Sequence, residues 1–154
     1  MTKRRYGTRW AIALGLAAAF AMGETAAMLI VAEPWVRVSA DTRTAEAFMQ
    51  LRSTEAAAVV GSSSEVSSKI SMRQGGARGA PVAQINLPAG ETVWLAPGRQ
   101  RLLLRNLDRP LKPGDRVALV LTILGADGTR QQIPVNAEVR MHSPTDDHLH
   151  GHRH

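Results

Sequence analysis

The chain has 154 residues, 44% of them hydrophobic, which gives room for one folded core and excludes a disordered polymer. It contains no cysteine, so disulfides, cysteine-based zinc sites and thiol catalysis are excluded. The formal charge of +6 is largely local: without Lys3, Arg4, Arg5 and Arg9 near the start, 15 basic residues face 13 acidic ones. With so few aromatics and no basic excess, the composition gives no footprint for nucleic acid.

Residues 1–9 are basic, and Trp10 to Met22 are almost wholly apolar and alanine-rich. The small-x-small triplets Ala19-Phe20-Ala21 and Thr25-Ala26-Ala27 follow, so the segment reads as a secretory signal ending near residue 21 or 27. The competing reading is an uncleaved anchor extended through Met28 to Val31, which Glu24 interrupts.

Leu29 to Val38 is apolar and β-branched, broken by Glu33-Pro34, and reads as an edge strand or one bulged at Pro34. Asp41-Thr42-Arg43 reads as a loop. Ala47 to Ser53 alternates as a half-buried strand whose inner face the period does not settle. Ala56 to Val60 is a short strand ahead of Gly61-Ser62-Ser63-Ser64, and Val66, Ile70 and Met72 mark a weak one. Arg73 to Pro81 reads as a flexible basic loop.

Leu87 to Asp115 then carries three turn signals, Leu87-Pro88-Ala89-Gly90, Ala96-Pro97-Gly98 and Lys112-Pro113-Gly114-Asp115, about one strand apart. Glu91–Leu95 and Gln100–Asn106 are the strands between them. Arg116 to Leu124 places Val117, Leu119, Leu121 and Ile123 on one side, and Asp127-Gly128 turns it into a return strand, Thr129 to Arg140, interrupted at Pro134. The expected fold is all-β, a Greek-key β-sandwich.

Several short motifs carry a resemblance. Glu33-Pro34-Trp35-Val36-Arg37, Ala47-Phe48-Met49-Gln50-Leu51, Leu87-Pro88-Ala89-Gly90 and Pro110-Leu111-Lys112-Pro113-Gly114-Asp115 stand in the order found in the periplasmic copper chaperones of the PCu(A)C family. The chain resembles that family over roughly Val31 to Val139, which implies a cupredoxin-like sandwich, a periplasmic or otherwise exported location, and copper as cargo. It also implies as partner an exported or membrane-bound copper acceptor, such as an oxidase assembly factor. The family's copper motif is His, ten residues, Met, twenty-one residues, His, one residue, Met. With its final His-x-Met on Arg101-Leu102-Leu103, the first Met falls on Gly79 and the first His on Ser68, or on Arg73 with a shortened hairpin. None of these is a plausible copper ligand, so the chain reads as a divergent member that keeps the frame and lacks the site. Arg73 and Arg101 would form either an anion-binding pair or salt bridges to neighbouring strands, the latter being the plainer reading. Met49 and Met72 read as core fillers.

After Arg140 the composition changes, and all five histidines of the protein lie there: His142, His148, His150, His152 and His154. Alternating imidazoles can converge on one ion, with Asp146 and Asp147 as oxygen donors and Met141 as the nearby thioether. Such a set suits Cu(II) better than Cu(I). A solvated terminus without specific binding and a purification tag are the bland alternatives. The expected organisation is a leader over 1–27, a sandwich domain over 28–140 and a His-rich tail over 141–154. Two functions remain: an exported copper-binding or copper-delivering protein acting through its tail, or a sandwich that has lost copper and binds another exported protein. With no histidine outside the tail, no G-x-S-x-G and no paired carboxylates, an enzyme is not expected.

Overall fold

The computed structural model describes residues 27–76 and 78–144. The leader before residue 27, and with it both candidate cleavage points except Ala27 itself, lies outside the described residues.

Ten strands follow one another: β1 (Leu29–Val38), β2 (Ala45–Ser53), β3 (Ala57–Ser64), β4 (Ser67–Gln74), β5 (Ala80–Pro81), β6 (Ile85–Leu87), β7 (Thr92–Leu95), β8 (Arg101–Leu107), β9 (Arg116–Gly125) and β10 (Arg130–Val139). Their ladder runs β5-β4-β8-β2-β1-β10-β9-β3-β6, with β7 on β2, and a β3–β4 pairing closes it into a flattened barrel. This is the all-β sandwich that the alternation and turns anticipate, of the cupredoxin-like kind that the resemblance implies. All pairs are antiparallel except β1 with β10, joined in parallel at Trp35–Val36 and Glu138–Val139.

The inward face follows from period two. Ala45, Ala47, Met49 and Leu51 of β2 meet Leu102 and Leu104 of β8, Val117, Leu119, Leu121 and Ile123 of β9, and Val135, Ala137 and Val139 of β10, all buried. Met72 belongs to the same cluster, so both methionines fill core space.

The prolines of β1 and β10 are absorbed differently. Strand β1 lies between β2 and β10, so it is not an edge; its register shifts between Ala32 and Trp35, and Glu33 takes a φ of 48°. That bulge accommodates the missing N–H of Pro34 and leaves Trp35 and Val36 both buried. Pro134 does not interrupt β10 at all. It pairs with Val120, and β10 meets β1 only from Glu138 onward, so the side of β10 away from β9 has no strand neighbour there that needs a donor.

Strand extends further than expected at two places. Gly61 to Ser64 continue β3 past a register shift between Val59 and Gly61, and Arg73-Gln74 pair with Ala80-Pro81 as a hairpin. The three expected turns form: Gly90, Gly98 and Gly114 take φ of 73°, 77° and 91°, values that glycine adopts without strain, and the amides that follow them, of Glu91, Arg99 and Asp115, donate back to the carbonyls of Pro88, Ala96 and Lys112.

At the β9–β10 turn the Asp127 carboxylate accepts from the Thr129 amide at 2.9 Å and from the Thr129 hydroxyl at 2.8 Å. The amide bond, then the hydroxyl bond, hold this carboxyl below its ordinary value of 3.8. A lowered folded value means stability that is fully present above the ordinary carboxylate range and lost as the pH falls through the lowered value. We therefore expect the melting temperature to fall below about pH 4, and Asp127→Asn to make that acid limb shallower in a pH series of thermal melts.

Candidate functional site

The face that the copper-motif alignment points to is the outer side of β1-β2-β8-β4. Register places Arg37, Glu46, Leu103 and Ser71 in one row across these strands, since Arg37 pairs with Glu46, Glu46 with Leu103, and Leu103 with Ser71. The adjacent row begins with the Trp35–Phe48 pair and ends with the Arg101–Arg73 pair.

Strand alternation puts Phe48 on the outside, yet it is fully buried. Its ring lies 4.6 Å from that of Trp35, tilted by 38°, and the Arg37 guanidinium sits 5.3 Å above it. The Glu46 carboxylate joins two arginines: Oε2 is 2.8 Å from Arg37 Nη2 and Oε1 is 2.7 Å from Arg101 Nε.

Arg101 is 3% exposed. Besides its ion pair with Glu46, it donates from Nη1 to the Gly75 carbonyl at 2.6 Å and the Arg99 carbonyl at 3.2 Å, and from Nη2 to the Gly76 carbonyl at 2.8 Å. Arg73 Nη1 donates to the Gly79 carbonyl at 3.2 Å. The tip of the β4–β5 hairpin is thus folded over a guanidinium. Gly79 has to be glycine on two counts: its φ is 47°, and a Cβ there would lie 2.9 Å from Arg101 Nη2.

This arrangement does not fit a copper ion. Its donors to any metal would be backbone carbonyls and one carboxylate, hard oxygens rather than imidazole or thioether, and the cavity they define is already filled by a positive charge. The Arg101–Glu46 pair is the salt bridge between neighbouring strands that the sequence suggested. Glu46 itself was not anticipated; its signal was its parity with Phe48 in Ala45-Glu46-Ala47-Phe48, which puts both on one face of β2.

The predicted tail ligands are mostly beyond view: His148, His150, His152 and His154 lie outside the described residues. Met141 is 69% exposed and borders a surface hollow with Arg37, Val38, Leu111 and Pro113. His142 is exposed as well. Among the described residues no three His, Asp or Glu side chains gather as a metal-binding group. Met72, packed in the core, has no part in the hollow beside Met141. The chain past Arg140 is tied down at its root: the Arg140 amide donates to Val36 O at 2.9 Å, and Ser143 and Pro144 border a small cleft with Trp35, Trp94 and Pro97.

Residues 29–135 match the family described as "Putative lipoprotein LpqE-like". The chain belongs to the LpqE-like family. A relative from Leifsonia xyli subsp. xyli, "Putative lipoprotein Lxx21020", is 30% identical over 121 residues, covering 73% of this chain and 71% of the relative. Among solved structures, the copper-bound PCuAC domain of PmoF2 superposes with a TM-score of 0.62 at 17% identity, over 73% of this chain and 92% of that one. The Cu(I) form of DR1885 from Deinococcus radiodurans does so with a TM-score of 0.54 at 27% identity, over 81% and 83%. This LpqE-like chain therefore has the PCuAC fold, and its likeness to the PCu(A)C chaperones read from short motifs extends to the whole barrel.

Proposed function

We propose that this LpqE-like protein is an exported, non-enzymatic copper-handling domain whose cargo is held by the C-terminal histidines and not by the barrel. The observation that carries the reading is the Arg101–Glu46 contact of 2.7 Å at the motif position, which leaves a copper ion no place there. Support for copper itself comes from the likeness to a Cu(I)-bound protein at 27% identity and to a copper-bound PCuAC domain. All imidazoles of the chain lie from His142 onward, beside Asp146 and Asp147, a donor set that favours Cu(II). Delivery would be to an exported or membrane-bound copper acceptor such as an oxidase assembly factor.

The lipoprotein names of the family and the relative support export or membrane attachment. With no cysteine in these 154 residues there is no thiol to take a thioether-linked lipid, so attachment within this sequence falls to the apolar leader. The division into leader 1–27, domain 28–140 and tail 141–154 is part of the same proposal, with one refinement. Because Ser143 and Pro144 border the cleft with Trp35 and Trp94, the tail is best severed after Pro144.

The filled barrel position equally favours a second reading, an interaction module that has given up copper. Titration separates the two. Cu(II) binding by the full chain that disappears on removing residues 145–154 with His142→Ala supports the tail. Absence of binding in both forms overturns it in favour of the interaction module.

A further inference from the structure

Five arginines of the described residues, Arg37, Arg101, Arg109, Arg116 and Arg140, lie within 4 Å of a carboxylate. On the outer face of the β4–β8 pair, by contrast, cations face one another across the ladder. Lys69 is the register partner of Arg105, and Arg73 that of Arg101, so two cation–cation pairs stand on one ladder with only the Ser71–Leu103 pair between them. Like charges directly opposite on a sheet destabilise it. Glu46 offsets Arg101, but among the described residues no carboxylate comes within 4 Å of Lys69, Arg73 or Arg105. The near balance of 15 basic and 12 acidic residues after residue 27 means that this cluster is not a by-product of a basic chain. Its backbone is also fixed, with the buried Ser67 hydroxyl donating to the Arg105 carbonyl at 2.6 Å.

We propose that this face docks an acidic polypeptide segment of a partner protein. Lys69, Ser71 and Arg73 repeat at about 7 Å on one face of β4, the spacing at which an extended chain presents alternate side chains. Arg105 widens the row on β8, and an arginine fork on a rigid strand suits carboxylates. A membrane is the less suitable occupant. Register puts Lys69 and Arg105 just beyond the level of Val38 and Ala45, whereas the leader enters at Leu29, nine residues away along β1. At ~3.3 Å per residue that is about 30 Å, several Debye lengths from a bilayer that holds the leader. The inference is independent of the tail's metal chemistry, since a delivery domain and an interaction module both need a docking face.

The test uses the full chain and a labelled peptide of alternating glutamate and serine, with a glutamine–serine peptide as control. Wild type should bind the acidic peptide alone, with affinity falling as salt rises. Lys69→Gln with Arg105→Gln should weaken binding about tenfold, while Lys112→Gln with Arg130→Gln, the same change in charge, should not. The first variant should also melt at or above the wild-type temperature, because a repulsive pair has been relieved. No binding by wild type, or equal loss in both variants, overturns the proposal. So does capture on phosphatidylglycerol vesicles that needs Lys69 and Arg105 when the peptide is ignored.

Discussion

Arg101→Met will destabilise the protein by about 3–5 kcal/mol, the usual cost of removing one partner of a buried ion pair, and will loosen the β4–β5 hairpin. The loss has two sources. Glu46 keeps Arg37 on Oε2 but loses its partner on Oε1, and the carbonyls of Gly75, Gly76 and Arg99 lose the donors that satisfied them. Retention of Arg37 pulls the figure towards the lower end. Arg101→Lys should recover little, because one ammonium cannot reproduce a planar fork that meets Glu46 and the hairpin tip together. Urea denaturation gives the energy, and limited trypsin digestion at Arg73 and Arg78 reports the hairpin. Methylguanidinium at a sub-denaturing concentration should restore part of the protection in Arg101→Met but not in Arg101→Lys. A loss below about 1 kcal/mol with an unchanged digestion pattern would show that Arg101 does not close this face. Gly79→Ala attacks the same contact from the other side and should loosen the hairpin similarly, since its Cβ would crowd Arg101 Nη2.

What the sequence conveyed about this fold is what local chemistry controls. The Pro-Gly turns at Ala96–Gly98 and Lys112–Asp115 and the alternation of Val117, Leu119, Leu121 and Ile123 each need only a few consecutive residues, and each appears where expected. The errors lie where a distant strand decides. Gly61 to Ser64 carry no strand signal of their own and are held by pairing with Leu119 to Thr122 of β9. Arg73 to Pro81 look like a loop until Arg101 gathers their carbonyls. Ile85–Leu87 is too short to announce itself and exists as a partner to Ala57–Val59. Pro134 reads as a break only if both sides of β10 need donors. The candidate site divides in the same way. Counting along the motif brought Arg73 opposite Arg101 only with a shortened hairpin, the ungapped count falling on Ser68, and Glu46 reaches Arg101 through the β2–β8 register, which no spacing in the chain records.

The second large effect is expected at the tail. The full chain should bind Cu(II) more tightly than ~10 μM, and ending it after Pro144 with His142→Ala should weaken binding at least tenfold while leaving the melting curve unchanged. The unchanged melt follows from the root of the tail: Arg140, Ser143 and Pro144 remain, and with them the bond to Val36 and the cleft beside Trp94. Cu(I) should bind the full chain less well than Cu(II), because Met141 is the one thioether near the histidines and the core holds Met49 and Met72 out of reach. Arg101→Met supplies the cross-check. If the barrel contributes nothing to metal binding, that variant lowers stability and leaves the Cu(II) titration as it was. If copper affinity instead follows Arg101 and ignores the histidines, the metal sits on the barrel face after all and the tail assignment fails.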